Sequence, residues 1–223
     1  MKKKIKLLLQ VGIINTIRFN TRYFGITSLI RPRVLIARNV ILKRIGGQIN
    51  TEKGVKPSNI GFSINLAYSG HNDRTVFFNE GVLNLNGHIS IFKGSSLIIR
   101  PNAELSLGDN FSMSQCSIIQ AYKKISIGRD CTVSWDCLIM DSDTHPILDK
   151  DKKNVLNPNQ DIEISDHVWL CSGVKVFKGS SIPQNCIVGS GSVITKKLNK
   201  CNAIYVNNIA VKESITFDTT RTF

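Results

Sequence analysis

The feature that most constrains this chain is a hydrophobic repeat of period six. From Ile127, aliphatic residues recur at Val133 and Ile139, and after a polar interval the spacing resumes at Ile164, Leu170, Val176, Ile182, Val188 and Ile194. Four residues after these positions come Cys131, Cys137, Asp143, Val168, Val174, Ser180, Cys186 and Ser192, mostly small or β-branched. An upstream run (Leu107, Met113, Ile119, Ile125) keeps the period with a two-residue offset before Ile127, and a looser version reaches back through Leu105, Ile99, Leu97, Ile91 and Ile89. A helix repeats at about 3.6 and a plain strand at two. Period six calls for short flat strands with a turn after each, wound so that every coil stacks on the next. Gly108, Gly128, Gly179, Gly189 and Gly191 fall where such turns need a permissive backbone. A sandwich of short strands, with turns about every 8–12 residues, is the weaker alternative.

The repeat breaks at one place, IMDSDTHPILDKDKKN (139–154). Six residues after Ile139 stands His145, where the pattern asks for an aliphatic side chain. The next regular position is near Ile162, so PILDKDKKNVLNPNQD (146–161) is expected to leave the coil as a polar protruding loop. Pro146 disfavours an α conformation at His145. An imidazole at the mouth of such a loop can take up and release a proton. It could equally end a strand and bond its own loop, and spacing alone leaves both readings open. Asp141 and Asp143 precede it by four and two residues, which in a strand puts all three on one face. Asp143 falls at an inward small-residue position, where a charge needs a partner, whether His145, a backbone amide or water. Turn capping is the alternative role for these carboxylates.

The segments IGRDCTVSWDCLIMDSDTHPI (127–147) and IEISDHVWLCSGVKVFKGSSIPQNCIVGSGSVITKKL (162–198) resemble the hexapeptide-repeat acyltransferases, in the branch of sugar O-acetyltransferases that includes galactoside and maltose acetyltransferases and polysaccharide-locus enzymes. The resemblance covers about residues 89–198. It implies an all-β chain wound as a left-handed parallel β-helix with three faces per coil, a homotrimer with sites between subunits, and acetyl-CoA as donor. Three faces of six make eighteen, and eighteen residues after Ile127 is again His145. The THP turn matches the family's catalytic turn, which implies that His145 is a general base; Asp143, on its face of the strand, is the carboxylate that would orient it. VWLCSGV (168–174) matches the segment facing the thioester, with Trp169 lining the donor channel and Ser172 stabilising the oxyanion. GSGSVITKK (189–197) matches the segment along coenzyme A, with Ser190 and Ser192 admitting the ligand and Thr195, Lys196 and Lys197 meeting its phosphates. For the acceptor, Asp141, Ser114 and Gln115 are the candidates. FSMSQCSI (111–118) lacks the asparagine that holds the sugar in the galactoside enzymes. YVNNIAVKES lies where the family has a Gly-Asn-Pro-Ala-Lys turn, and matches it only in part.

The expected reaction is acetyl transfer to the hydroxyl of a sugar or glycan acceptor, in surface polysaccharide synthesis. N-acyl transfer to an amino sugar and a non-catalytic β-helical scaffold are the alternatives. No ligand cluster points to a metal: His71, His88 and His167 are not spaced as a site with His145. The six cysteines include no CxxC pair and read as free, mostly buried thiols.

Composition matters chiefly for charge. The 223 residues carry a formal +13, which suits a phosphorylated cofactor or an anionic surface, with no nucleic-acid motif present. Ile5, Leu8, Leu9, Ile13 and Ile17 have helix-like spacing, giving a basic amphipathic arm over 1–30. Packing of that apolar face on the first coil or on a neighbouring subunit is the favoured reading, and peripheral association with a membrane the alternative. Interrupted by Lys6, Gln10 and Asn15, the stretch reads as retained rather than as a cleaved leader, and the expected location is the cytoplasm, at or near the inner face of the membrane. Irregular early coils (31–88), the regular catalytic β-helix (89–198) and a tail (199–223) complete the expected organisation.

Overall fold

The computed structural model describes residues 9–52, 56–63 and 73–218; His71, Ile5 and Leu8 lie outside them. The chain winds through three parallel sheets, and sheet neighbours are strands three apart in sequence until the C-terminal end of the first sheet. The first sheet stacks Val34–Ile36, Ser58–Phe62, Ile89–Phe92, Phe111–Met113, Thr132–Val133, Trp169–Leu170, Ile187–Val188 and Ile204–Val206. The second stacks Val40–Ile45, Thr75–Asn79, Ser96–Ile99, Ile118–Ala121, Leu138–Met140, Lys175–Phe177 and Val193–Ile194. The third runs from Gln48–Thr51 through Val82–Asn86, Glu104–Gly108, Lys124–Ile127 and Ile162–Ile164 to Ser181–Ile182. This is a left-handed parallel β-helix, an exception to the right-handed crossover rule.

Registers turn the period into columns. Met113, Val133, Leu170 and Val188 pair in the first sheet, and Ile119, Ile139, Val176 and Ile194 in the second, all of them buried. Leu107, Ile127, Ile164 and Ile182 form the third column. Ladder bonds hold the coils at about 4.8 Å while like side chains stack inside. Truncating one of them, Ile139→Ala for example, is expected to cost about 2–5 kcal/mol. The upstream offset is real: Met113 and Val133 are register partners twenty residues apart, and the extra residues sit at the corner holding Tyr122 and Lys123.

The glycines divide into two kinds. Gly179 and Gly191 take φ of 76° and 70°, as expected of turn positions. Gly108 and Gly128 do not; they are needed because coils touch there, a Cβ on Gly108 falling 2.5 Å from the Gly128 carbonyl carbon. Left-handed residues at the corner entering the first sheet are instead Asn110, Asp130, His167, Asn185 and Asn202. Their side chains form a ladder, with Asn110 donating to Asp130 (2.8 Å), His167 Nδ1 facing Asn185 Oδ1 (2.9 Å) and Asn185 donating to Asn202 (2.9 Å).

The N-terminal end is capped by helix α1 (Ile13–Phe24) and a short 3-10 turn (Ile26–Leu29). Of the surfaces the sequence leaves open to its apolar face, the first coil of the same chain does not take Ile13, Ile14 and Ile17. Thr16, Phe19 and Asn20 are buried, whereas Ile13, Ile14 and Ile17 are exposed. The reason is the unpaired edge of the first strand, whose backbone groups need partners. Asn20 donates to the Val34 carbonyl (2.7 Å) and accepts from Arg33 N (2.8 Å), while Thr16 exchanges bonds with both backbone groups of Ile36. At the far end Ile204–Val206 and Ile209–Lys212 form an antiparallel hairpin. Its turn residues Asn207 and Asn208 accept from Val193 N and Thr195 N, covering the last strand of the second sheet. No helix among the described residues is long and apolar enough to cross a membrane.

The outward columns differ between faces. The second sheet presents Ile41, Val76, Ile118, Leu138 and Val193 in one column and Phe78, Ile98, Met140 and Phe177 in the next, interrupted by Arg44, Ser96, Gln120 and Lys175. The third presents Asn50, Asn84, Ser106, Ser126, Glu163 and Ser181, with Asn84 donating to both Glu104 and Ser106.

Candidate active site

The second-sheet strand carrying Ile139 ends at Met140, and the chain leaves the coil there. Asp141 still follows the alternation of Ile139 and Met140, whereas Asp143, expected on the same inward face, lies beyond it and points out. Asp141, not Asp143, points inward; it is fully buried, and its two oxygens accept the N–H groups of Tyr122 (2.7 Å) and Lys123 (2.8 Å). Burial pushes its carboxyl up, and the backbone donors oppose that. A carboxylate so occupied caps the two-residue insert of the coil below and is not a sugar contact.

Asp143 is exposed and bonded to Lys178 Nζ (2.5 Å) and Asn157 Nδ2 (2.8 Å). These partners, Lys178 first, hold its carboxyl below the usual range. The expected Asp143–His145 side-chain pair is thus replaced by an Asp143–Lys178–Asn157 cluster. The cluster reaches His145 through the backbone: Asn157 Nδ2 also donates to the His145 carbonyl (3.0 Å), and His145 N donates to the Asp143 carbonyl (2.8 Å). Lys178 in turn donates to the Asn157 carbonyl (3.0 Å). Thr144, immediately before the histidine, has φ of 67°, a strained conformation for a β-branched residue.

The excursion is a small folded unit. Leu148 and Val155 make an antiparallel bridge, Leu156 N donates to the Ile147 carbonyl (2.7 Å), and Asn157 Oδ1 accepts from Ile147 N. Between this unit and the coil lies a pocket of about 270 Å³ lined by Tyr122, Asp143, His145, Val155, Asn157 and Asn159, among others. Tyr122, Asn157 and Lys178 were not legible from spacing. The one available signal was the offset before Ile127, which marks the Tyr122 corner.

The remaining predicted residues gather elsewhere. Ser172 lies at the corner between the first and second sheets, its Oγ 3.3 Å from that of Ser190. Gly173 and Gly191, with φ of 71° and 70°, complete a bare shelf; a Cβ on Gly191 would meet nothing within 4 Å. Ser114 and Gln115 belong to the same corner lower in the stack, Gln115 being buried and its backbone carbonyl accepting from Asp136 N (3.2 Å). Its burial argues against the expected sugar contact. Ser192 is also a correction: at 2 % exposure it points into the core, as its place in the small-residue series requires, and cannot touch a ligand along the outside. Thr195 is bonded to Asn208 at both its N–H and its hydroxyl, while Lys196 and Lys197 are exposed and return to the corner from which His145 departs. Trp169 faces outward on the first sheet, its indole N–H donating to Ser134 Oγ (3.0 Å) and its ring 6.0 Å from Phe217 of the tail, which stacks on His167 at 4.1 Å.

All six cysteines are free; Cys201 is exposed and Cys116 and Cys171 half-buried. Burial pushes Cys131 up to about 12 and Cys137 up to about 11, which removes both as nucleophiles at neutral pH. Among the described residues no three His, Cys, Asp or Glu side chains converge.

A β-helix with an imidazole beside an open pocket at one corner and a glycine–serine shelf at another is the class of molecule defined so far. No family model matches the chain. It is 33% identical over 112 residues to the polysialic acid O-acetyltransferase of Escherichia coli O1:K1 / APEC, covering 50% of this chain and 34% of that one. With the enzyme of the same name from Neisseria meningitidis it shares 32% over 117 residues, 52% of this chain and 51% of the relative. The chain thus spans about half or less of the curated relatives it matches. The crystal structure of the polySia specific acetyltransferase NeuO superposes with a TM-score of 0.56 over 84% of this chain and 78% of that one, at 22% identity, a likeness of fold.

Proposed function

We propose that this protein is an acetyl-CoA-dependent O-acetyltransferase acting on a hydroxyl of an acidic surface glycan. The observation that carries the reading is the His145 ring at an open pocket, with its backbone clamped by Asn157 and the Asp143–Lys178 pair. Both curated relatives are named for O-acetylation of polysialic acid.

In this reading His145 removes the proton of the acceptor hydroxyl and then passes it on. When bound, acetyl-CoA supplies an acetyl group activated as a thioester. The Gly173–Gly191 shelf fits a thin ligand lying against backbone, the Ser172 hydroxyl or N–H faces the position where negative charge develops, and Lys196 and Lys197 answer phosphate charge. His145 and Ser172 occupy different corners of one chain, separated by the width of the second sheet. A neighbouring subunit brings such corners together. The apolar outward columns of the second sheet supply a surface for that assembly, and we infer a homotrimer. This reading locates the enzyme on the cytoplasmic side, where its donor is made.

The test is incubation of the purified chain with acetyl-CoA and polysialic acid, with mass readout of the glycan. Alkali-labile gain of acetyl groups supports the proposal. Transfer only to amino sugars, or none to any glycan, contradicts it.

A further inference from the structure

The N-terminal cap has a use that the acetyl-transfer reading does not absorb. Residues 1–51 contain eleven Lys and Arg and no Asp or Glu, so most of the formal +13 of the chain is concentrated at this end. On the described part of it, Ile14 is 81% exposed, Ile30 87%, Ile26 76% and Ile13 67%, with Leu9, Ile17 and Leu29 also exposed. These residues are not required by the fold below: on its opposite side α1 is anchored to the first strand by Thr16 and Asn20 and to Phe77 by Phe19. Next to Ile30 opens a cleft of about 610 Å³ lined by Arg31, Arg33, Lys56 and Ser28, with Glu52 its acidic member.

We propose that the cap docks on an anionic phospholipid membrane, the isoleucines entering the interface and Arg18, Arg22, Arg31 and Lys43 facing lipid phosphates. An acidic glycan would satisfy the arginines but has no use for seven exposed aliphatic side chains. A second copy of the cap would bring two positive surfaces together. Only an anionic surface with an apolar interior answers both features. The cap closes one end of the β-helix, so docking stands the coil axis away from the bilayer. The His145 corner lies four coils beyond the first strand, which is about 20 Å above the surface. At that height it would meet glycan held at the membrane rather than lipid headgroups.

The experiment is flotation of the full chain with vesicles of phosphatidylcholine, with and without phosphatidylglycerol. The wild type should bind only the anionic vesicles and be released by salt. Ile14→Asp with Ile30→Asp should lower the partition coefficient at least about tenfold, and Arg18→Glu with Arg31→Glu about fivefold or more per charge. All four positions are away from both candidate corners, so activity on a soluble acceptor should be unchanged, which separates failure of this proposal from failure of the catalytic one. Unchanged flotation of the isoleucine variant, absence of wild-type binding, complete release by soluble polysialic acid, or a change of oligomeric state in the isoleucine variant would each overturn it.

Discussion

The two corners that hold the candidate chemistry are built by opposite means. At the Ser172 corner the coil is regular: Gly173 and Gly191 repeat the same left-handed turn eighteen residues apart, and Gly191 N donates to the Ser172 carbonyl (2.9 Å). Repetition itself produces a smooth shelf. At the His145 corner regularity stops. Asp141 is turned inward, Thr144 is strained, and the span from Asp143 to Asn157 is tied back by Lys178. A β-helix offers identical corners at every level, so a reactive side chain needs an interruption that singles out one of them. Interruption costs backbone strain, and the Asp143–Lys178–Asn157 cluster is what holds it.

Damage to each corner should therefore look different. If His145 is the base, as proposed, His145→Ala should lower turnover by about 10²–10⁴-fold, with binding of coenzyme A retained in calorimetry. Near-wild-type turnover would assign the chemistry elsewhere. Next in size is the face between the corners. Ile98→Asp with Ile118→Asp puts charge into the apolar outward columns, and light scattering should report monomers with activity reduced on the order of a hundredfold. A monomer of full activity would confine the site to one chain.

A smaller effect is expected at the clamp. Lys178→Met frees Asp143 and should reduce kcat by about tenfold while leaving global stability nearly intact, since Met keeps the half-buried stem and the Asp143 carboxylate left behind is open to solvent. The pH dependence follows from sign. The Asp143 carboxyl is lowered in the fold, so its contribution is complete above the unfolded value near 4 and disappears as pH falls through the folded one. Hydrogen exchange of residues 144–157 should accelerate below about pH 4 in the wild type and show no such step in Lys178→Met. Smallest is Thr144→Gly: relief of the left-handed strain should offset the added chain entropy to within about 1 kcal/mol, with a severalfold loss of kcat as His145 loosens.

The inward columns were legible because a period of six admits few windings, and His145 stood out because it occupies an aliphatic register. The outward turn of Asp143 was not legible. It depends on the alternation from Ile139 ending at Asp141, and no residue type announces that end. Lys178 and Asn157 were hidden for another reason: thirty-five and fourteen residues separate them from Asp143, and only the stacking of coils brings them to it. For the helix, amphipathicity records which residues are apolar, not which face meets the first coil. At an open strand edge, polar Thr16 and Asn20 are the better inward residues.

The central claim is that each site is completed by two chains. Dissociated His145→Ala and Ser190→Trp proteins, each inactive, should regain activity when mixed and reassembled. Every site then draws its base corner and its shelf corner independently, so an equal mixture should reach about a quarter of wild-type turnover. Mixtures that stay as inactive as their components would contradict the shared site.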